Sequence, residues 1–240
     1  MHAVVLAGGL GTRLRPYTYA IPKPLMPLGD RPVLDILLRR LKASGATSAT
    51  LCLGYLAPLI NAFVGSGEQW GLDISCVVED EPLGTAGPLR LVPALPSDFI
   101  VVNGDTLTDL DFRELCDAHT RAGAWATVFT PEVENIVDYG IIELDVTSGA
   151  IVNYLEKPRR TYHVSSGIYV LSKRLIDYIP AGRRFDMPDL IRCVLTNGGL
   201  AQSFRNNAYW RDIGRHDHFE AANRDFQADP SRFLVQTTGV

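Results

Sequence analysis

A chain of 240 residues with 21% charged residues and a formal net charge of −4 is long enough for one α/β domain or two small ones with a substantial core. The acidic balance gives no support to nucleic acid as a partner, because such binders carry a basic stripe. No apolar run reaches membrane-spanning length, and Ala3 to Ala7 is too short for a secretion signal and lacks its basic start, so a cytoplasmic protein with no membrane partner is expected. Cys52, Cys76, Cys116 and Cys193 are dispersed and form no C-x-x-C; this argues against a zinc cluster or a disulfide framework and fits small core residues in a reducing compartment.

The chain opens with an apolar run, residues 3 to 7, long enough for one buried strand. Gly8, Gly9 and Gly11 follow at once. Three glycines in four positions let backbone N–H groups approach a ligand and converge on an anion. Arg13 adds a donor fork that matches phosphate oxygens, and Lys23 is held between Pro22 and Pro24, which stiffen the segment around it. Together these features read as a polyphosphate site. The third glycine of a dinucleotide fingerprint is missing, and no P-loop run occurs. From the glycines alone, a turn with solvated basic side chains is the competing reading.

Asp30 is positioned to cap a helix over residues 33 to 41, where Val33, Leu34, Leu37, Leu38 and Leu41 recur at helical spacing until Gly45. Strands are expected at 50–53 and 72–78, with a helix over 56–64 between them. This alternation predicts βαβ units and a parallel sheet, with ligands at the carboxyl ends of the strands. The third strand ends in Glu79-Asp80-Glu81-Pro82-Leu83-Gly84-Thr85, an acidic turn before a helix start. The fourth, Phe99 to Thr106, is an apolar run that delivers Asp105 at its end. A carboxylate placed there suits Mg²⁺, which takes one or two carboxylates plus phosphate oxygens and water; a plain Asp turn is the alternative.

A helix is expected over 111–121, capped near Leu110 or Asp111, and a strand over 124–130. Residues 139–144 and 151–158 read as a hairpin across Thr147-Ser148-Gly149, so the sheet is mixed. A strand over 164–171, a short helix from Ser172 and a helix over 185–196 capped by Asp186 come next. A strand over 199–204, a helix over 216–226 and a loose tail end the chain.

Leu6-Ala7-Gly8-Gly9-Leu10-Gly11-Thr12-Arg13-Leu14-Arg15-Pro16, followed by Ile21-Pro22-Lys23-Pro24-Leu25-Met26-Pro27, resembles the opening of the sugar-1-phosphate nucleotidyltransferases, the nucleotide-sugar pyrophosphorylases. Later matches carry the resemblance to about Phe226. It implies a Rossmann-like three-layer α/β/α fold with a mixed, mostly parallel central sheet. One domain over 1–228 would comprise a nucleotide-binding half (1–110) and a sugar-phosphate half (111–228), with a tail over 229–240. The implied reaction joins a nucleoside triphosphate to a sugar 1-phosphate and releases pyrophosphate, with Mg²⁺ as cofactor. A homo-oligomer is compatible with the sequence and not specified by it.

The resemblance also implies the site. Leu6, Ala7, Gly8, Gly9, Gly11, Thr12 and Arg13 would hold the nucleotide, together with Asn103 and Gly104. Glu79, Gly84 and Thr85 fall in a segment like the base-recognition segment of the mannose-1-phosphate guanylyltransferase branch. A carboxylate only accepts hydrogen bonds, so Glu79 can pair with the adjacent N1–H and N2–H of guanine; it can also take the single N3–H of uracil or thymine. Gly84 would let the backbone lie against the base. Asn103-Gly104-Asp105 matches the metal-binding motif, and Trp210-Arg211-Asp212-Ile213-Gly214 the segment of the second metal ligand, so Asp105 and Asp212 would bind Mg²⁺ and act in catalysis with Arg13 and Lys23. Tyr139-Gly140 and Glu156-Lys157-Pro158 match sugar-phosphate motifs, Glu156 taking hydroxyls and Lys157 a phosphate. Ser165-Ser166-Gly167 stands where the family commonly has Asn-Ala-Gly; Ser165 and Gly167 would still face the sugar, and the identity of that sugar is left open. Mannose or manno-heptose 1-phosphate with GTP is the preferred reading. A uridylyl- or thymidylyltransferase acting on glucose 1-phosphate and a non-catalytic nucleotide-sugar sensor are the rivals.

Overall fold

A computed structural model describes residues 1–234. Strand β1 (His2–Ala7) runs into the glycine loop, and the short strands β2 (Pro27–Leu28) and β3 (Arg31–Pro32) pair before helix α1 (Val33–Ala43). Then come β4 (Ser48–Leu53), α2 (Ala57–Val64), β5 (Asp73–Val78), β6 (Asp98–Asn103), β7 (Thr106–Thr108), α3 (Phe112–Ala122) and β8 (Ala126–Phe129). Strands β9 (Glu132–Ile136), β10 (Ile141–Leu144), β11 (Ile151–Leu155) and β12 (Arg159–His163) precede β13 (Ile168–Ser172). Helix α4 (Met187–Thr196), β14 (Ala201–Phe204), β15 (Trp210–Asp212), α5 (His216–Ala228) and α6 (Pro230–Phe233) complete it. No helix among the described residues is long and apolar enough to cross a membrane.

The central sheet has seven strands in the order β14-β8-β13-β6-β1-β4-β5. β1 pairs in parallel with both β4 and β6, and β13 lies antiparallel between β6 and β8. Successive side chains of a strand point to opposite faces, and this divides the core. Val5 and Leu51 pack with Leu37 and Leu41 of α1 and Phe112 of α3; Val4, Val101 and Leu171 pack on the other face with Leu190 and Val194 of α4. The result is three layers with a mixed, mostly parallel sheet, as expected. Burying one such side chain is worth roughly 1.5–3 kcal/mol.

Several expected elements are corrected. Asp30 does not cap α1: Arg31 and Pro32 are drawn into a two-stranded ladder, and Pro32 occupies the cap position without a side-chain bond. The 139–158 hairpin exists, but it forms its own two-stranded sheet of β10 and β11, and β9 pairs with β12 in another. The stretch 164–167 approaches β13 as a loop. The segment after Ser172 is a 3-10 turn, Lys173–Tyr178. The tail is not loose at its start: α6 buries Phe233 against Phe226 and Leu107, because three apolar side chains suffice to dock one turn. Residues 235–240 of the expected tail lie outside the described residues.

Candidate active site

The site lies where β1, β4 and β6 end side by side. Gly8 follows β1 and packs against Glu79, whose Oε1 would stand 2.5 Å from a Cβ there. Glu79 leaves the end of β5, and the Leu83 N–H donates to its Oε2 at 2.8 Å. Its other oxygen is thereby set against the glycine loop. Burial raises the Glu79 carboxyl above its ordinary range, opposed by the Leu83 bond. Gly11, at φ +60°, turns the loop in the left-handed region, and its carbonyl accepts from Thr18 Oγ1 at 2.9 Å. Gly9 faces open space. Leu6, Ala7, Gly8, Gly9, Gly11, Thr12 and Arg13 all line one cavity of about 470 Å³. Glu79, Gly84, Thr85, Asn103, Lys23 and Asp105 line it too.

The charged end of this cavity is assembled by the β7–β15 ladder. Asp212 is paired with Thr106, next to Asp105, and the Ile213 N–H donates to the Asp105 carbonyl at 3.1 Å. Lys23 forms an ion pair with Asp105. Asp212 Oδ2, Arg13 Nη2 and Lys23 Nζ converge on Gly214, standing 2.7, 3.1 and 3.1 Å from where a Cβ would be. Gly214 thus keeps a space open between two cations and a carboxylate. Burial pushes the Lys23 ammonium down to about 8; Asp212 opposes the shift and Arg13 adds to it. The Asp105 carboxylate is paired directly with this ammonium.

A second cavity, of about 300 Å³, shares Leu6, Thr85 and Asn103 with the first and adds Ser165, Gly167, Tyr169, Trp210 and Asp212. Gly167, at φ +77°, lies so close to Asn103 that a Cβ would meet its Nδ2 at 2.2 Å. Ser165 Oγ and Tyr169 OH are 2.7 Å apart, and Trp210 Nε1 donates to the Ser166 carbonyl at 2.8 Å. Gly104 sits behind this wall, its N–H bonded to the Leu6 carbonyl.

Four residues read from the sequence stay apart from both cavities. Tyr139 is 79% exposed, and Gly140 packs against the Tyr154 hydroxyl, which donates to Glu156 at 3.1 Å. Glu156 and Lys157 follow β11 and are exposed, and Lys157 holds φ +41°, a left-handed conformation uncommon for a side chain of its kind.

Three residues of the site escape a reading of the sequence. Asp186, expected to cap α4, accepts instead from the Thr85 N–H at 3.0 Å, and the first N–H of α4 donates to Thr85 Oγ1 at 2.7 Å. Arg184, on the same strap, lines the larger cavity. His218 of α5 bonds Asp212. Each partnership joins positions far apart in the chain or across an element boundary, and local spacing carries no trace of it.

Residues 2–229 match the nucleotidyl transferase family, and the chain belongs to it. It is 34% identical over 227 residues to a mannose-1-phosphate guanyltransferase of Candida albicans, covering 91% of this chain and 62% of that protein. A UTP--glucose-1-phosphate uridylyltransferase of Synechocystis sp. is 33% identical over 242 residues, with 92% and 62% covered. The chain therefore spans less than two thirds of the length of these relatives. Among solved structures, HddC from Yersinia pseudotuberculosis complexed with GMP-PN superposes with a TM-score of 0.72 at 30% identity, covering 94% of this chain and 99% of the other.

Proposed function

We propose that this chain is a sugar-1-phosphate nucleotidyltransferase that prefers GTP and a manno-configured acceptor, mannose or manno-heptose 1-phosphate. The observation that carries the reading is one cavity lined by Glu79, set against the glycine loop, and by Arg13, Lys23 and Asp105, with Asp212 of the neighbouring cavity meeting Arg13 and Lys23 around Gly214. A base and a polyphosphate fit that lining. The relatives include both guanyl- and uridylyltransferases; the base preference rests on the acceptor-only chemistry of Glu79, whose free oxygen can meet the two adjacent donors of guanine.

In the reaction, an oxygen of the sugar phosphate attacks the α-phosphorus, the bond from that phosphorus to the β-phosphate oxygen breaks, and pyrophosphate leaves with the electron pair. The attacking phosphate is mostly dianionic at neutral pH, its second pKa being about 6, so no general base is required. Positioning and electrostatics suffice, as in phosphoryl transfer generally. The glycine-loop N–H groups and Arg13 hold the departing pyrophosphate, and Lys23 neutralises charge at the α-phosphate. The two carboxylates fit Mg²⁺, which commonly takes one or two carboxylates and completes its shell with phosphate oxygens and water. Held by Asp105 and Asp212, it would supply neutralising charge where the two phosphates meet. Ser165 and Gly167 face the acceptor; Tyr139, Gly140, Glu156 and Lys157 serve it if the hairpin folds toward the second cavity.

The test is pyrophosphate release with Mg²⁺ across five nucleotides and a panel of sugar 1-phosphates. Turnover with GTP and a manno-sugar phosphate is expected. Turnover only with UTP or dTTP would keep the reaction class and sink the guanine reading. Tight nucleotide-sugar binding without turnover would make the chain a sensor.

A further inference from the structure

We propose that Arg184 is a specificity-determining residue that reads the O6 and N7 edge of guanine, as the donor counterpart of Glu79. The inference deepens the guanine-nucleotide reading above and rests on it.

Arg184 lines the same cavity as Glu79, Pro82 and Gly84. Its Nε donates to Asp186 Oδ2 at 3.3 Å, and the other oxygen of that carboxylate accepts from the Thr85 N–H at 3.0 Å. Asp186 therefore ties the arginine to the turn that follows Glu79. The same turn is held from behind by Phe185, whose N–H donates to the Leu83 carbonyl at 2.9 Å and whose carbonyl accepts from Ala86 and Gly87. Gly84 backs onto this strap at φ +84°, with Asp186 Oδ1 2.6 Å from where a Cβ would be. Hydrogen bonds through Asp186 thus link the arginine to the turn. The two terminal Nη groups of Arg184 have no hydrogen-bond partner among the described residues, so the fork is left for a ligand.

The chemistry then selects a base. Guanine carries two adjacent donors, N1–H and N2–H, on one edge and two adjacent acceptors, O6 and N7, on another. A carboxylate matches the first edge, and a guanidinium pairs bidentately with the second. Adenine sets an amino donor beside N7 and would turn it toward the arginine. Uracil and thymine offer O4 alone, with carbon at the neighbouring position. Only guanine satisfies both Glu79 and Arg184.

The experiment compares kcat/KM of the wild type, Arg184→Ala and Arg184→Lys with GTP, 7-deaza-GTP, ITP and UTP. The Arg184 side chain is 74% exposed, so both variants should fold, and a thermal melt checks this. The wild type is expected to lose about tenfold on 7-deaza-GTP, which lacks the N7 acceptor, the low end of the range for a bidentate base contact. Arg184→Ala should lose about the same on GTP and no longer distinguish 7-deaza-GTP. The lysine variant, a single donor without the planar fork, should recover little. The penalty on ITP, which lacks the N2 amino group read by Glu79, should survive in both variants. If wild type prefers GTP but treats 7-deaza-GTP as its equal, or if Arg184→Ala retains the full N7 discrimination, the inference is overturned. A wild type that prefers UTP overturns the guanine reading itself, a distinct outcome.

Discussion

His218 Nδ1 lies 2.6 Å from Asp212 Oδ1, while Oδ2 of the same carboxylate turns toward Gly214. The imidazole donates one hydrogen bond and so decides which oxygen is left for the site. If Asp212 holds Mg²⁺ as proposed, the group that orients its carboxylate should govern metal affinity by about tenfold. His218→Ala should therefore raise the Mg²⁺ concentration needed for half-maximal rate by about tenfold, and His218→Asn, which retains a donor, should recover part of it. Initial rates across a Mg²⁺ titration, with direct Mg²⁺ binding by calorimetry alongside, check this. An unchanged Mg²⁺ dependence would leave His218 as packing alone.

Lys23 is the cation held closest to the carboxylates, in an ion pair with Asp105 and beside Arg13. Lys23→Ala should lower kcat by at least about a hundredfold, the scale of a lost electrostatic stabiliser. Steady-state kinetics at saturating substrate would expose the opposite result, near-normal turnover, which would remove Lys23 from the mechanism.

Gly8→Ala places a methyl 2.5 Å from Glu79 Oε1, the far end of a side chain that can swing away. The fold should survive and the base preference should not. A melting temperature close to wild type, with the GTP-to-UTP ratio in kcat/KM falling by about tenfold, is the expected pair of readings; a retained ratio would detach Glu79 from base selection.

His119 is buried at 2% exposure, with Nδ1 2.8 Å from Thr127 Oγ1 and Nε2 3.4 Å from Asp98. Burial holds its imidazole below the ordinary 6.5, against the pull of Asp98. The folded chain binds this proton less readily than the unfolded chain, so the contribution to stability is complete above 6.5 and is lost as pH falls from there through the folded value. Denaturant titrations between pH 7.5 and pH 5, as rough limits around that window, should show falling stability, with a shallower slope in His119→Gln. His2 shifts in the same direction and keeps some slope in the variant.

Thr106 is 1% exposed, and its hydroxyl has no partner among the described residues. Thr106→Val keeps the shape and removes the orphaned group, which should leave the melting temperature level or raise it. A drop in activity without a drop in stability would instead give the hydroxyl a task beside Asp105.

The elements that were legible in the sequence are those whose cause is local. Residues 3–7 and 99–103 are strands because their apolar runs are flanked by glycine or acidic turns, and α3 starts where Asp111 accepts from the Arg113 N–H at 2.9 Å. The glycines and the lysine that line the larger cavity stood out by their spacing. Asp186 shows the limit: its position one residue before a helix is an N-cap signature, yet its carboxylate is taken by Thr85, 101 positions away. Arg184 and His218 carry no local signal at all, because each matters only through what the fold sets beside it. The strands β9 and β12 were missed for the opposite reason, since both are solvent-exposed and bury no face that would impose a pattern.

β13 runs against every neighbour it touches in the central sheet. In a sheet whose strands all point one way, a single edge collects only departures. Reversing one strand brings an arrival to that edge: the entrance to β13, with Ser165 and Gly167, meets the exit of β6 at Asn103. Two compartments then meet there, with Leu6, Thr85 and Asn103 as lining common to both.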